Sequence, residues 1–465
     1  MSRTAPPAAG DDPRRRIPRT DALLALEAVE QAKQRIGEEN VRELVREAQN
    51  RARAGKIAPE EVEGEVLAAL ENTRVSAFTP VLNATGVIVH TNLGRAPLSP
   101  QALEALEAAA GYVDVEFDLE TGLRGKRGVS TREALLKACP TAEEALAVNN
   151  GAAALSLIAT TLAGPGAGAR REIVLSRGEM IEIGAGFRLT ELIESTGPVI
   201  REVGTTNRTH IADYEKALGD STAAILKIHA SNYVIKGFTS AVSVAELAEL
   251  AHANGLPLVV DIGSGLFSPE PLLPDEPTLT EALEQGADLV LASGDKLVGG
   301  PQAGLILGKK EWVERVARHP LARAMRADKL LLAALEATVG GPTPPVLEAL
   351  HTNPDALKAR TEALARALRA RTQEPCEVVP HDGRVGGGGG AEVPIPGWAL
   401  QLPERFAAEL RGLERPIIAT TRDGACLIDL RCIPEFEDDE LVSAIAALLK
   451  REKGRHARHR DRRPR

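Results

Sequence analysis

The chain has 465 residues, 43% of them hydrophobic and 26% charged, which is the make-up of an ordinary globular protein with room for two or three domains. With 3% aromatic residues and a formal charge of −9, a base-stacking platform for single strands and a uniformly basic nucleic-acid surface are both disfavoured. Four cysteines without C-x-x-C spacing, no apolar stretch of membrane-spanning length and no secretory apolar core in residues 1–20 lead us to expect a cytoplasmic protein. It should have no membrane partner, no disulfide framework and no metal site.

In chain order, residues 1–20 read as a mobile arm carrying Arg14, Arg15 and Arg16. From Thr20 to about Asn72, apolar residues such as Leu23, Leu24, Leu26, Val41, Leu44 and Val45 recur at three-to-four spacing, broken at Gly37 and at Gly55–Pro59, so residues 1–72 are expected to form a small helical domain. Residues 73–330 alternate. Short apolar runs at Ala145–Val148, Glu172–Leu175, Val199–Val203, Ala224–Ile228, Pro257–Asp261 and Asp288–Ala292 are separated by helical stretches, two of which open on capping boxes at Ser243–Glu246 and Thr278–Glu281. That order predicts an α/β domain with a mostly parallel sheet covered on both faces. Residues 331–452 read as a smaller α+β domain: helices at Leu330–Val339 and Ala356–Arg371, a strand at Cys376–Val379, and a hairpin Pro416–Ile418/Cys426–Leu430 turned at Asp423-Gly424. A helix over about Asp438–Leu449 follows, with a basic tail at 453–465.

The chemistry concentrates at two strand ends. Lys296 follows the apolar run Ala287–Ala292, and Asp261 ends the preceding run, so both fall on the sheet edge where α/β folds bind ligands. An amine opposite a carboxylate suits pyridoxal 5'-phosphate: lysine forms the imine, and the carboxylate keeps the pyridine nitrogen protonated. In Val148–Leu155 a strand turns into a helix over small residues; on its own this is an ordinary βα connection, but with the Lys296/Asp261 pair it becomes a phosphate cup at Asn150, Gly151 and Ala152, to which Ser293 can add a hydroxyl. Dinucleotide signatures fail. Gly386–Gly390 reads as a flexible loop, and Gly263-Ser264-Gly265 lacks the third glycine. Arginines gather at Arg95, at Arg124 and Arg127, and at Arg323 and Arg326, as forks able to hold an oxyanion if they converge, whereas Arg318 reads as an exposed helix residue. His90, His210 and His229 read as local hydrogen-bonding residues.

Several segments together resemble the bacterial selenocysteine synthase family, the L-seryl-tRNA(Sec) selenium transferases. They are Asn83–Gly86, His90–Ala96, Asp118–Gly125, Ser176–Glu179, Glu202–His210, Ser231–Tyr233, Asp261–Gly265, Ser293–Leu297 and Gly299–Gly304. The resemblance implies an aspartate-aminotransferase-like PLP fold with a three-layer, mostly parallel central sheet. Lys296 would carry the cofactor, Asp261 would face its ring nitrogen, and Asp295 would sit beside the reacting centre. Arg95, Arg323 and Arg326 would hold the phosphate of selenophosphate. It also implies an N-terminal domain that grips tRNA, rings of dimers amounting to a decamer, no DNA partner, and β-elimination of water from L-seryl-tRNA(Sec) through an aminoacrylyl intermediate followed by addition of selenium. The chain departs from the family pattern at Gly151, at Gly128–Arg132 and at Gly389–Glu392. Those departures keep open a lyase acting on a small amino acid or a phosphorylated amino sugar on the same scaffold. A non-catalytic RNA-binding protein fits less well with an intact Lys296/Asp261 pair.

Overall fold

The computed structural model describes residues 13–73, 76–184, 186–372 and 376–460; most of the expected N-terminal arm and the end of the basic tail lie outside the described residues. Contacts divide the chain into two units, Met1–Pro80 and Val81–Arg465. The first is helical, with helices Thr20–Leu24, Glu27–Ile36, Glu38–Arg53 and Val62–Asn72. In Glu38–Arg53, Val41, Val45, Ala48 and Ala52 fall on one buried stripe, while acidic residues open the helix and basic ones close it, as its dipole favours. Gly37 separates the second helix from the third at φ 85°, a conformation that side-chain-bearing residues rarely adopt. Leu23, Val29, Val62, Val66 and Leu70 complete this unit's own core.

The second unit is built on a seven-stranded sheet. Its spatial order is Glu144–Val148, Gly304–Gly308, Leu289–Ser293, Leu258–Gly263, Thr222–Ile228, Glu172–Ser176 and Val199–Val203. The pairings are parallel except for Gly304–Gly308, which is antiparallel to both of its neighbours. Side chains alternate between two apolar layers. Val174, Ile225, Val260, Val290 and Leu305 face one, with Leu247 and Leu335. Ile173, Leu226, Val259, Leu291 and Ile306 face the other, with Leu157, Ile193 and Val316. Double burial explains why these strands read as continuous apolar runs, and it gives the three-layer architecture expected. Six of the seven strands lie within two residues of their predicted positions. The fully buried Gly304–Gly308 was not among the predicted runs.

A second sheet orders Leu82–Ala84, Ile417–Arg422, Ala425–Asp429, Trp398–Pro403 and Glu377–Pro380, with only the first pair parallel. The predicted hairpin is present, and both turn residues have positive φ, Asp423 at 51° and Gly424 at 76°, the geometry that matches the twist of its strands. Helix Pro354–Thr372 packs on this sheet, and so does the first half of Asp438–Arg460, which continues as helix beyond the predicted end at Leu449.

The glycine run corrects an expectation. Arg384–Gly386 pairs in parallel with Val87–Val89, the Gly387 N–H donates to the Val89 carbonyl (3.0 Å), and Gly388, Gly389 and Gly390 are buried. A side chain at Gly388 would stand 3.2 Å from Cβ of Lys296. The run is a packed strap beside the lysine, and its neighbours crowd it: a Cβ on Gly386 would run into the Val87 side chain and stand 2.8 Å from the Val89 carbonyl.

Candidate functional site

Parallel pairing sets Leu291 opposite Asp261 and Ala292 opposite Gly263, so the chain leaves both strands at the same sheet edge. Lys296 lies in the loop that joins Ser293 to the antiparallel strand at Gly304, and a Cβ on Gly263 would be 3.5 Å from Lys296 Nζ and 3.4 Å from Ser231 Oγ. Burial pushes the Lys296 amine below the ordinary lysine range, against the opposing pull of Asp261. Burial likewise pushes the Asp261 carboxyl up to about 6, partly offset by Lys296 and by the Gly263 N–H at 3.0 Å. Each group is thus held toward its neutral form, and the added positive charge of a protonated pyridine ring would restore Asp261 as a carboxylate.

The helix Gly151–Ala163 starts at the end of Glu144–Val148, two strands over from Leu289–Ser293. Asn150 caps it by accepting from the Ala153 N–H (2.8 Å), which leaves the first amides of the turn directed outward. A Cβ on Gly151 would stand 2.7 Å from Ser293 Oγ, so the helix start and the loop carrying Lys296 close on one another. A lysine facing a carboxylate, with a helix N-terminus and a hydroxyl alongside, is a donor set that fits pyridoxal phosphate.

Arg95 and Asp295 are joined at 2.6 Å, with the Asp295 side chain 9% exposed, and the Ala96 N–H donates to the Asp295 carbonyl (3.3 Å). Arg95 holds φ 66°, a left-handed conformation that costs a non-glycine residue about 1–2 kcal/mol and so marks a position fixed by its surroundings. A cavity of ≈ 530 Å³ opens beside the pair, lined by Thr91, Arg95, Asp295, Pro301 and Gln302. The other expected arginines stand apart. Arg326 bonds Glu116 (3.1 Å), which also takes Arg124 (2.9 Å) and Arg127 (3.2 Å), and Arg323 is exposed on Pro320–Ala324. Among the described residues Arg95 shares no partner with Arg323 or Arg326, so the three do not form one contact cluster within a single chain. Arg318 pairs with Glu314 on an exposed helix face, as expected.

Two further groups stand beside Lys296, the expected hydrogen-bonding residue His229 and a glutamate that has no sequence signal. His229 ends the strand next to that of Asp261, and its backbone N–H donates to the Asp261 carbonyl (2.8 Å). Glu276, from the connection after that strand, lies 3.4 Å from His229 Nε2 with its side chain 3% exposed. Nothing in Asp275-Glu276-Pro277 sets it apart from a surface turn.

Residues 81–434 match the family model described as L-seryl-tRNA selenium transferase, and residues 14–53 match the one described as selenocysteine synthase N terminal. The L-seryl-tRNA(Sec) selenium transferase of Moorella thermoacetica is 44% identical over 393 residues, covering 80% of this chain and 82% of that protein. Its counterpart in Carboxydothermus hydrogenoformans is 38% identical over 452 residues, covering 91% and 95%. Among solved structures, D-glucosaminate-6-phosphate ammonia-lyase shares the fold with a TM-score of 0.56, at 24% identity over 80% of this chain and 96% of that one.

Proposed function

The chain belongs to the L-seryl-tRNA(Sec) selenium transferase family, and on that premise we propose that it converts L-seryl-tRNA(Sec) to L-selenocysteyl-tRNA(Sec) with selenophosphate as donor. One observation carries the reading: the Lys296 amine faces Asp261 at adjoining strand ends, in a chain that also carries the family's N-terminal segment. Lys296 would hold pyridoxal phosphate, Asp261 its ring nitrogen, and Asn150, Gly151, Ala152 and Ser293 its phosphate. When bound, the cofactor supplies an electron sink for charge developing at the seryl α-carbon.

The chain's own groups then divide the work. Lys296 Nζ, kept toward its neutral form by burial, would take the α-proton as general base and return a proton to the departing hydroxyl. Asp295 would orient Arg95 through their ion pair and keep its fork aimed into the adjoining cavity. Arg95, Arg323 and Arg326 would gather the oxyanion donor. Since Arg95 stands apart from the other two within one chain, the set would be completed between subunits. Exposed apolar side chains at Tyr112, Phe117, Leu119 and Leu123 support self-association, for which we propose dimers assembled into a decameric ring. We assign tRNA binding to residues 1–72, the chemistry to 73–330 with 331–452 beside it, and a cytoplasmic location. No helix among the described residues is long and apolar enough to cross a membrane.

The test is incubation with seryl-tRNA(Sec) and selenophosphate, scored for selenocysteyl-tRNA(Sec). Product from the full chain but not from a chain lacking residues 1–70 is the expected result. Turnover of free amino acids or phosphorylated amino sugars without tRNA would instead assign a lyase.

A further inference from the structure

The packed glycine strap and the carboxylate behind it have no role in the chemistry described so far. Glu276 Oε2 accepts the N–H of Gly390 at 2.7 Å in a buried setting, and Oε1, buried and without a hydrogen-bond partner, faces His229 Nε2 at 3.4 Å. A Cβ on Gly389 would stand 2.9 Å from the Glu276 carboxyl carbon, and one on Gly390 2.7 Å from Leu273. One carboxylate therefore joins three parts of the chain: the strap over Lys296, the end of the His229 strand, and the connection after the Asp261 strand. Leaving a buried acceptor and its donor unmatched is costly, so the bond to Gly390 fixes the strap rather than merely decorating it.

We infer that Glu276 is a positioning residue, clamping the strap Gly386–Gly390 against Lys296 so that bare backbone forms one wall of the space that receives the aminoacyl group. The inference deepens the proposed function, on which it rests. It concerns backbone order that can be read without turnover. Because the strap presents no side chain, its position alone sets how much room the substrate's ester-linked end finds beside the lysine.

Hydrogen–deuterium exchange of the full-length protein, read on peptides covering residues 384–393, tests the clamp directly. Glu276→Ala is expected to speed exchange of the strap amides by about tenfold or more, while Glu276→Gln, which keeps an acceptor for Gly390, stays within about threefold of the unaltered protein. The KM for seryl-tRNA should follow the same order, rising several-fold for Ala and little for Gln. Gly389→Ala, which presses on the carboxyl group without removing it, should loosen the strap similarly and serves if Glu276→Ala fails to fold. Unchanged exchange in Glu276→Ala, or in Gly389→Ala where that variant stands in for it, overturns the clamp, and so does a Gln variant as loose as the Ala variant. If instead the unaltered protein makes no selenocysteyl-tRNA while the exchange pattern holds, the functional reading fails and the clamp stands.

Discussion

The helical unit at the N-terminus and the surroundings of Lys296 use the same charged residues under opposite solvent conditions. In the helical unit Arg42 meets Glu38 at 2.6 Å and Arg16 meets Glu60 at 2.8 Å, on surfaces where water screens both partners. Beside Lys296, Arg95 meets Asp295 at the same 2.6 Å, but the carboxylate is buried, and Asp261 and Lys296 are pushed toward neutrality by burial. Equal distances therefore carry unequal weight. Exposed pairs are nearly interchangeable with their absence, whereas desolvated groups are set by what surrounds them and report on any change there.

The sharpest break in that comparison is Lys296→Ala. Transfer should fall by about 10³-fold or more, and borohydride treatment should leave no reduced cofactor adduct in the peptide containing position 296. Retained turnover would sink the assignment. Asp261→Asn comes next, with a loss of about 10–100-fold. It also has a pH signature in the cofactor-free protein. A carboxyl raised to about 6 when folded and near 3.8 when unfolded keeps its full contribution to stability below the unfolded value and loses it as pH rises toward 6. Stability relative to the Asn variant should therefore decline across that window; a flat difference would show that Asp261 is not buried as described.

In the helical unit, Leu23→Ala should cost about 2–4 kcal/mol, seen as lost exchange protection over residues 20–72. Seryl-tRNA affinity should fall while the Lys296 adduct persists, because the two units have separate cores. Smallest of all, Arg42→Ala should leave the unfolding midpoint unchanged within error, and a clear drop would show that exposed pairs matter more here than their screening allows.

The sequence was most legible where burial is uniform. The strand bearing Asp261 and the strand that leads into the Lys296 loop are each an unbroken apolar stretch, so position and chemistry could be read together. Ser243 and Thr278 marked their helix starts because each accepts the third amide of its helix, from Glu246 and Glu281. Gly304–Gly308 was harder, since a three-residue apolar run, Leu305–Leu307, bounded by glycines has no period to distinguish it from a loop end. The strap was misread for a physical reason: glycine signals freedom in sequence, yet it also occurs where neighbours leave no room for a Cβ, and only the neighbours tell the two apart. Glu276 was invisible because an acidic residue between Asp275 and Pro277 looks solvated until a fold covers it.

Leu82–Ala84, at the start of the second unit, lies in parallel register with Ile417–Ala419, and the Leu82 N–H donates to Pro416 (2.9 Å). The edge of the small sheet therefore waits for nearly the whole polypeptide to be synthesised. Contacts of such sequence separation form late and slowly. A nascent chain emerging from the ribosome holds this strand unpaired until residues 417–419 have been made, which makes the stretch a natural point of chaperone dependence and of aggregation in truncated forms.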